Sequence, residues 1–149
     1  MISDPGILLT YLAESPPKES FDAFLDALAR DIDSVEKPRA VIYEVPRMAT
    51  FDATLRRRVG ELLDQRRAKL TYVTQGFVLV TGSPIVRGLL SAVFWLARPG
   101  YPWTIVGETE EAFAWVRALS PQRDITGAVA EYIKRRDTLV AARAPAGAA

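Results

Sequence analysis

The residues of this chain that come nearest to a reactive site are Thr81, Gly82 and Ser83, which follow a short apolar run and precede a helical pattern. A strand-to-helix turn of this kind can present free backbone N–H groups to a phosphate. A nucleotide-binding loop normally adds further glycines and a lysine, and neither occurs beside this turn. Because Pro84 follows Ser83, we expect the Ser83 hydroxyl to cap the helix and the proline to occupy the first helical position.

The residue types that most enzymes use are missing from the sequence. It contains no histidine, the commonest general base and zinc ligand, and no cysteine, so thiol nucleophiles and disulfides are excluded. Carboxylate or lysine chemistry remains, but the acids of the first helix lack metal-ligand spacing and follow the pattern of a solvent-exposed face. These acids are Asp22, Asp26, Asp31 and Asp33. We therefore expect a protein without enzymatic activity, cofactor or bound metal.

The composition is that of one globular domain. The chain has 149 residues, of which 49% are hydrophobic and 25% are charged, and its formal net charge is +1. This length suffices for one core without disulfides, and the charge balance does not favour binding to nucleic acid or to an anionic membrane surface. No basic stretch precedes the apolar run at residues 7–13, and the most apolar segment, residues 85–97, is too short to span a bilayer. We therefore expect a cytoplasmic protein without a secretory signal or membrane insertion.

Apolar periodicity divides the chain into alternating strands and helices. Strands are predicted at residues 6–12, 39–45, 76–80 and 103–106. Helices are predicted at residues 20–33, from 50 or 52 to about 69, at 85–97, at 109–119 and at about 122–142. Ser20 and Thr109 are predicted to cap their helices. Residues 70–74 form a linker or the beginning of the third strand.

The alternation of strands with helices predicts an α/β fold with a mostly parallel sheet and right-handed crossovers. We expect a four-stranded sheet of this kind with an extra C-terminal helix. The chain then divides into an α/β domain at residues 1–119, a helical extension at 120–143 and a disordered tail at 144–149.

The segment from residue 78 to residue 112 resembles the STAS family, the domain of sulfate transporters and anti-sigma-factor antagonists, and especially its divergent bacterial members. The likeness rests on an apolar strand that leads into Ser83-Pro84-Ile85-Val86-Arg87, and on a second strand followed by Thr109-Glu110-Glu111-Ala112. The order of elements from residue 7 to residue 119 agrees with that of the family, whereas the residues from 120 onward lie outside the resemblance. The resemblance implies a STAS-like fold and a regulatory function.

The resemblance also implies a site of regulatory phosphorylation. Family members carry a phosphorylatable Ser or Thr at the start of the helix after the second long strand, usually in an Asp-Ser-Ser/Thr-Gly-like run. The corresponding residues 47–55 lack that serine and that glycine, so Thr50 and Thr54 are the candidate acceptors and Asp52 is a candidate fixed charge. A phosphate at this helix N-terminus would be favoured by about 0.3–1 kcal/mol. The alternative is that Thr50 or Asp52 only caps the helix.

The helix predicted at residues 85–97 is apolar nearly all round, which indicates burial on several sides. Its cover is the C-terminal helix, a second copy of the chain or another protein, and the pattern leaves the three open. The proline-containing loop behind the helix adds two aromatic residues, of the type that interfaces favour as anchors. The candidate partner-binding residues of this region are Phe94, Trp95, Tyr101 and Trp103.

The second helix carries a basic block at Arg56, Arg57 and Arg58, and its basic face continues with Arg66, Arg67 and Lys69. Such a block is usually a solvated face that pairs with neighbouring acids, here Glu61 and Asp64. The alternative is a docking surface for an acidic protein, so these three arginines are also candidate partner-binding residues.

Together these patterns predict a non-enzymatic bacterial regulatory or protein–protein interaction module of STAS-like type. Its expected partner is another protein, such as a kinase-like signalling protein, and not a nucleic acid. Two alternatives stay open. One is a structural domain that forms a homodimer through the apolar helix 85–97, and the other is a domain that binds a small apolar or anionic ligand.

Overall fold

The computed structural model describes residues 2–4, 6–12, 17–45 and 53–143. Its strands are β1 (Ile2–Asp4), β2 (Ile7–Tyr11), β3 (Arg39–Glu44), β4 (Thr74–Val80) and β5 (Trp103–Val106). Its helices are α1 (Phe21–Ser34), α2 (Ala53–Gln65), α3 (Arg67–Val73), α4 (Pro84–Ala97), α5 (Thr109–Leu119) and α6 (Thr126–Arg143). Among these described residues, no helix combines the length and the apolar character needed to cross a membrane.

The strands form one sheet in the order of the chain, β1-β2-β3-β4-β5. The strands from β2 to β5 run parallel, and the short β1 pairs antiparallel with β2 at the edge. Right-handed crossovers between sequential parallel strands place α1, α2, α3 and α4 on one face of the sheet. On the other face, α5 contacts β3, β4 and β5, and α6 contacts β1 and β2. The predicted α/β fold with its parallel sheet and C-terminal helix is confirmed, and β1 is an addition to it.

Side chains alternate between the two faces of each strand, and each face has its own core. One cluster on the first face lies beneath α4, and another lies between α1 and α2. The larger core lies beneath α5 and α6. Its buried side chains are Ile7, Leu9, Ala40, Ile42, Val78, Val80, Ala112, Phe113, Val116, Ile125, Val129 and Tyr132.

The C-terminal helix helps to close this larger core. Val129 and Tyr132 of α6, and Ile125 just before it, are buried against side chains of the sheet. The domain boundary expected after residue 119 stays a prediction. The residues before it and the helical extension after it contribute to the same core. The tail expected to be disordered, residues 144–149, lies outside the described residues.

The long basic helix predicted to reach Lys69 is two helices. A turn at Arg66 separates α2 from α3, and the backbone N–H of Arg66 donates to Leu63 O at 3.2 Å. At this turn the Arg66 guanidinium makes two 3.0 Å hydrogen bonds to the carboxylate of Asp33 on α1, and these bonds lower the pKa of Asp33. α3 then continues through the predicted linker and passes into β4 at Thr74.

The last helix begins at Thr126, later than predicted, because the preceding segment is held in a turn. Nη1 of Arg123 donates to Gly6 O and to Gln75 Oε1, both at 2.9 Å. Oδ1 of Asp124 accepts a hydrogen bond from the N–H of Thr126 at 2.9 Å. The first pair of bonds ties the turn to the amino end of the parallel strands, and the last one caps the helix start.

Candidate interaction surface

The helix α4 begins as the sequence predicts. Ser83 is the N-cap, its Oγ accepts a hydrogen bond from the N–H of Val86 at 3.4 Å, and Pro84 lies in the first turn. The helix stops at Arg98, which adopts the left-handed conformation with a φ of 43°. The N–H of Arg98 donates to Phe94 O at 3.0 Å and so satisfies one carbonyl of the last turn.

The turn before α4 uses its polar groups internally. The Thr81 hydroxyl is buried and accepts a hydrogen bond from the N–H of Ser83 at 3.2 Å. The N–H of Thr81 donates to Val106 O of the neighbouring strand at 3.0 Å. The capping role predicted for Ser83 is confirmed, and these groups give a phosphate site little support.

The inward face of α4 packs against aromatic rings on the sheet. Phe94 stacks on Trp103 of β5 with ring centroids 4.8 Å apart, and it lies 5.2 Å from Phe77 of β4. Phe77 meets Tyr43 of β3 edge-on at 5.6 Å, so the rings link α4 to three strands. Tyr101 is half-buried as well, and burial raises the pKa of its phenol. Three of the four aromatic anchor candidates therefore pack at least partly within the chain.

The fourth candidate, Trp95, lies on the outward face of α4 and is 75% exposed. Ile85 is 81% exposed on the same face, and Gly88 and Ala92 lie between them and are also exposed. Steps of three, four and three residues place these four positions along one line of the helix. Arg87 is the only charged residue of α4, and it is not on this line. The outward face is thus an uncharged strip, which we call the α4 strip.

Within the described part of the chain, no other element covers the α4 strip. The C-terminal helix, one of the three covers that the sequence left open, packs on the opposite face of the sheet. The second copy and the partner protein therefore stay as candidate covers. The other exposed large apolar side chains of the described residues lie on α2, α3 and α6. They are Leu63, Tyr72, Leu139 and Val140.

No steric contact within the described chain requires a glycine at position 88. Glycine in a helix interior costs about 0.5–1 kcal/mol relative to alanine. Apart from its chain neighbours and the backbone of its own helix, a Cβ at Gly88 would have no described atom within 4 Å, and the same is true of Gly60 on α2 and of Gly127 on α6. Gly60 directly precedes the charged Glu61 on α2, whereas Gly88 lies in the middle of the α4 strip. The small size of Gly88 would allow another helix to approach α4 closely.

The basic residues of α2 and α3 largely pair with acids of the same chain. Arg57 lies 3.7 Å from Glu61, and Arg67 lies 2.7 Å from Asp64, the two acids expected from the sequence. Arg58 pairs with an aspartate of α1. These pairs satisfy part of the charge that an acidic partner would need, and exposed pairs of this kind contribute little to stability.

Of the three residues proposed as a phosphorylation switch, only Thr54 is described. It is exposed in the first turn of α2, where a phosphate would meet the positive end of the helix dipole. Thr50 and Asp52 lie outside the described residues, as does the side chain of Arg56. The switch stays a prediction at all three positions.

A polar cluster at the carboxyl end of β3 was not predicted. Oε2 of the buried Glu44 accepts a hydrogen bond from Tyr132 Oη at 2.7 Å, and both carboxylate oxygens lie 3.4 Å from Arg136 Nη1. Arg136 also donates to Thr109 Oγ1 at 3.2 Å. Burial raises the pKa of the Tyr132 phenol, and the hydrogen bond to Glu44 adds to this. The sequence contains a signal for the burial of Glu44. Glu44 lies two residues after the core residue Ile42, and alternate positions of a strand share a face.

The cap of α5 differs from the predicted one. Its N-cap is Glu108, and the carboxylate of Glu111 accepts the N–H groups of Gly107 at 3.0 Å and of Glu108 at 3.3 Å, which forms a capping box. Thr109, the predicted cap, is the first helical residue; it is buried and its hydroxyl accepts from Arg136. The prediction of Thr109 as the cap was wrong because a long-range contact uses its hydroxyl.

The two hollows described on the surface are open to solvent. One lies between α1 and α2, beside Asp26 and Arg58. The other lies beside the edge strand β5, with Arg87, Glu111 and Trp115 among its lining residues. Small-molecule sites usually enclose most of their ligand, so neither hollow favours the ligand-binding alternative.

Comparison of the chain with protein-family models, with curated proteins and with solved structures gave no match. The resemblance to the STAS family therefore stays a prediction that rests on the motifs around Ser83 and Thr109.

Proposed function

We propose that this protein is a non-enzymatic regulatory module of STAS-like type that acts in the bacterial cytoplasm through a protein–protein contact at the α4 strip. The observation that carries the proposal is the exposure of Ile85 and Trp95, 81% and 75%, on one face of a helix. Tryptophan is the type of residue that most often dominates the binding energy of an interface. Its exposure next to further uncharged surface is a recognised mark of an interaction site.

The sequence composition supports a function without catalysis. The chain has no histidine and no cysteine, so the commonest general base and the commonest strong nucleophile are missing. The buried carboxylate of Glu44 has hydrogen-bond partners on α6, which fits a structural clamp better than a reactive group. The alternation of parallel strands and helices from β2 to α5 is consistent with the STAS-like assignment.

The α4 strip is a better candidate contact than the basic face of α2. Arg57 and Arg58 already pair with Glu61 and Asp22. A partner that bound these arginines would have to replace existing pairs, whereas the α4 strip would only lose water, which favours association.

Regulation by charge at the start of α2 belongs to the same proposal. Phosphorylation of Thr50 or Thr54, or the fixed charge of Asp52, would alter binding of the partner. We expect Thr54→Asp and Asp52→Asn to change the partner's Kd in opposite directions. Unchanged Kd values for both variants would remove the switch from the proposal and leave the α4 contact untouched.

The contact is tested by affinity capture from the native host followed by binding measurements with the purified partner. Trp95→Ser is compared with wild type, and Tyr72→Ser is the matched control because Tyr72 is an aromatic residue of α3 that is 66% exposed. We expect Trp95→Ser to weaken binding by about thirtyfold or more, the effect of losing about 2 kcal/mol at a hot spot. Tyr72→Ser should bind as wild type does.

Thermal unfolding of each variant serves as the control for folding. Since Trp95 and Tyr72 are both largely exposed, both substitutions should leave the midpoint close to that of wild type. A partner that binds the folded Trp95→Ser protein as tightly as wild type would contradict the proposed contact.

A further inference from the structure

We infer that the occupant of the α4 strip is a second copy of this chain, bound as an antiparallel pair of α4 helices. The inference rests on the proposed function, because it names the partner of the same surface.

The strip is arranged symmetrically about position 90 of α4. Ile85 and Trp95 form the outer pair and Gly88 and Ala92 form the inner pair, and both pairs are centred on that position. A two-fold axis at this level, perpendicular to two antiparallel helices, sets Ile85 of each copy against Trp95 of the other. The same axis sets Gly88 against Ala92.

This arrangement matches side-chain size across the contact. Gly88 and Ala92 are about 6 Å apart along the helix, and their small size would let the two backbones approach at the centre. Ile85 and Trp95 are about 15 Å apart along the helix and would fill the wider space at each end. The steps of three, four and three residues are those of a heptad seam, and an isologous contact requires this kind of self-complementary surface.

Charge also favours the antiparallel pair. The strip itself is uncharged, and antiparallel packing places the positive end of each helix dipole beside the negative end of the other. Arg87 lies off the strip, and the two Arg87 positions would be offset by about 9 Å along the helices in addition to an interaxial distance of about 8–10 Å. A parallel pair would align the dipoles and set Arg87 opposite Arg87.

The area indicates a weak dimer. α4 has 14 residues and is therefore about 21 Å long. Stable interfaces bury about 1,200–2,000 Å² in total, and one helix face about 21 Å long and about 10–12 Å wide from each copy falls below that range. We therefore expect a Kd in the micromolar range rather than the nanomolar range.

Sedimentation velocity from about 1 μM to about 1 mM covers the Kd range expected for such an interface. Wild type should pass from monomer to dimer within it. Ala92→Glu places like charges at the centre of the pair and should remain monomeric, as should Trp95→Ser. The matched controls Ala68→Glu and Tyr72→Ser alter exposed residues of α3 and should dimerise as wild type does.

Single cysteines test the direction of the helices, because the native chain contains none. Gly88→Cys and Ala92→Cys proteins, one of them carrying a larger tag, are mixed and oxidised. Antiparallel pairing brings positions 88 and 92 together, whereas each same-position pair is offset by about 6 Å along the helices. The mixed disulfide should therefore form several times faster than either same-position disulfide.

A wild-type protein that stays monomeric up to the highest concentration would overturn the inference, and so would a dimer that persists with Ala92→Glu. Preferential linkage of 88 to 88 would overturn the antiparallel geometry. The proposed function fails by a different result, since it requires only that Trp95→Ser weaken binding of a captured partner. A monomeric chain whose partner is lost with Trp95→Ser would refute the dimer and leave the proposed function intact.

Discussion

At the scale of residues, Gly76 sets the distance between α5 and the sheet. A Cβ at this position would lie 2.5 Å from Leu119 Cδ1 and 2.9 Å from ring atoms of Trp115, so α5 packs this closely because position 76 has no side chain. We expect Gly76→Ala to lower the free energy of unfolding by about 1–3 kcal/mol, the usual cost of overpacking. Urea denaturation measures this. Gly82→Ala is the control, because apart from its chain neighbours no described atom lies within 4 Å of a Cβ there. Equal losses in both variants would contradict this account.

The hydrogen bond between Tyr132 and Glu44 gives a second prediction at this scale. It joins α6 to β3 at 2.7 Å, and its acceptor is a buried carboxylate. Tyr132→Phe should lower the free energy of unfolding by about 1.5–3 kcal/mol, the range for hydrogen bonds to charged groups. Denaturant unfolding near neutral pH measures the loss. In a Glu44→Gln background the same substitution should cost less, because the acceptor is neutral, and equal costs in both backgrounds would argue against this bond.

Residues differ in how far their roles could be predicted. The Ser83 cap could be, because its partner Val86 is three residues away in the chain. Tyr132 is 88 residues from Glu44, and a single sequence does not specify such a pairing. The exposure of Trp95 could not be predicted either, because an all-apolar helix does not indicate which of its faces is covered.

At the scale of elements, the order of strands and helices follows from apolar periodicity, but several boundaries depend on distant contacts. The break at Arg66 accompanies its hydrogen bonds to Asp33 of α1, and the late start of α6 accompanies the contacts of Arg123. Ser20 occupies the predicted N-cap of α1, yet its side chain makes no capping hydrogen bond. Local sequence thus predicts where an element lies better than how it begins or ends.

The capping box of α5 gives the prediction at this scale. Glu111 accepts two backbone N–H groups, and it also lies at the positive end of the helix dipole. Glu111→Ala should lower the free energy of unfolding by about 0.5–2 kcal/mol. Glu110→Ala is the matched control, because Glu110 shares the first turn and is exposed. If chemical denaturation gives the same loss for both, the dipole rather than the hydrogen bonds stabilises the helix start.

At the scale of the whole molecule, the layered architecture follows from the sequence pattern together with the handedness of crossovers. Sequential parallel strands direct α1, α2, α3 and α4 to one face, and α5 and α6 return to cover the other. The α4 strip is one of the exposed surfaces of this first layer. Whether a second copy covers this layer is a property of the assembly, which the pattern within one chain left open.

The response of the whole fold to alkaline pH follows from two tyrosines that pack against its cores, the partly buried Tyr43 and the buried Tyr132. Burial raises the pKa of Tyr43 from 10.0 to about 12, and it also raises the pKa of Tyr132. A raised pKa means that the folded chain holds a proton that the unfolded chain has lost, so the contribution to stability is complete below pH 10 and declines as pH rises toward 12. Within that window each such tyrosine should lower the free energy of unfolding by about 1.4 kcal/mol per pH unit. Urea denaturation at a series of pH values, followed by phenolate absorbance, measures this slope. Tyr43→Phe should reduce the slope by about 1.4 kcal/mol per pH unit, the contribution of one tyrosine. An unchanged slope would show that Tyr43 does not control alkaline unfolding.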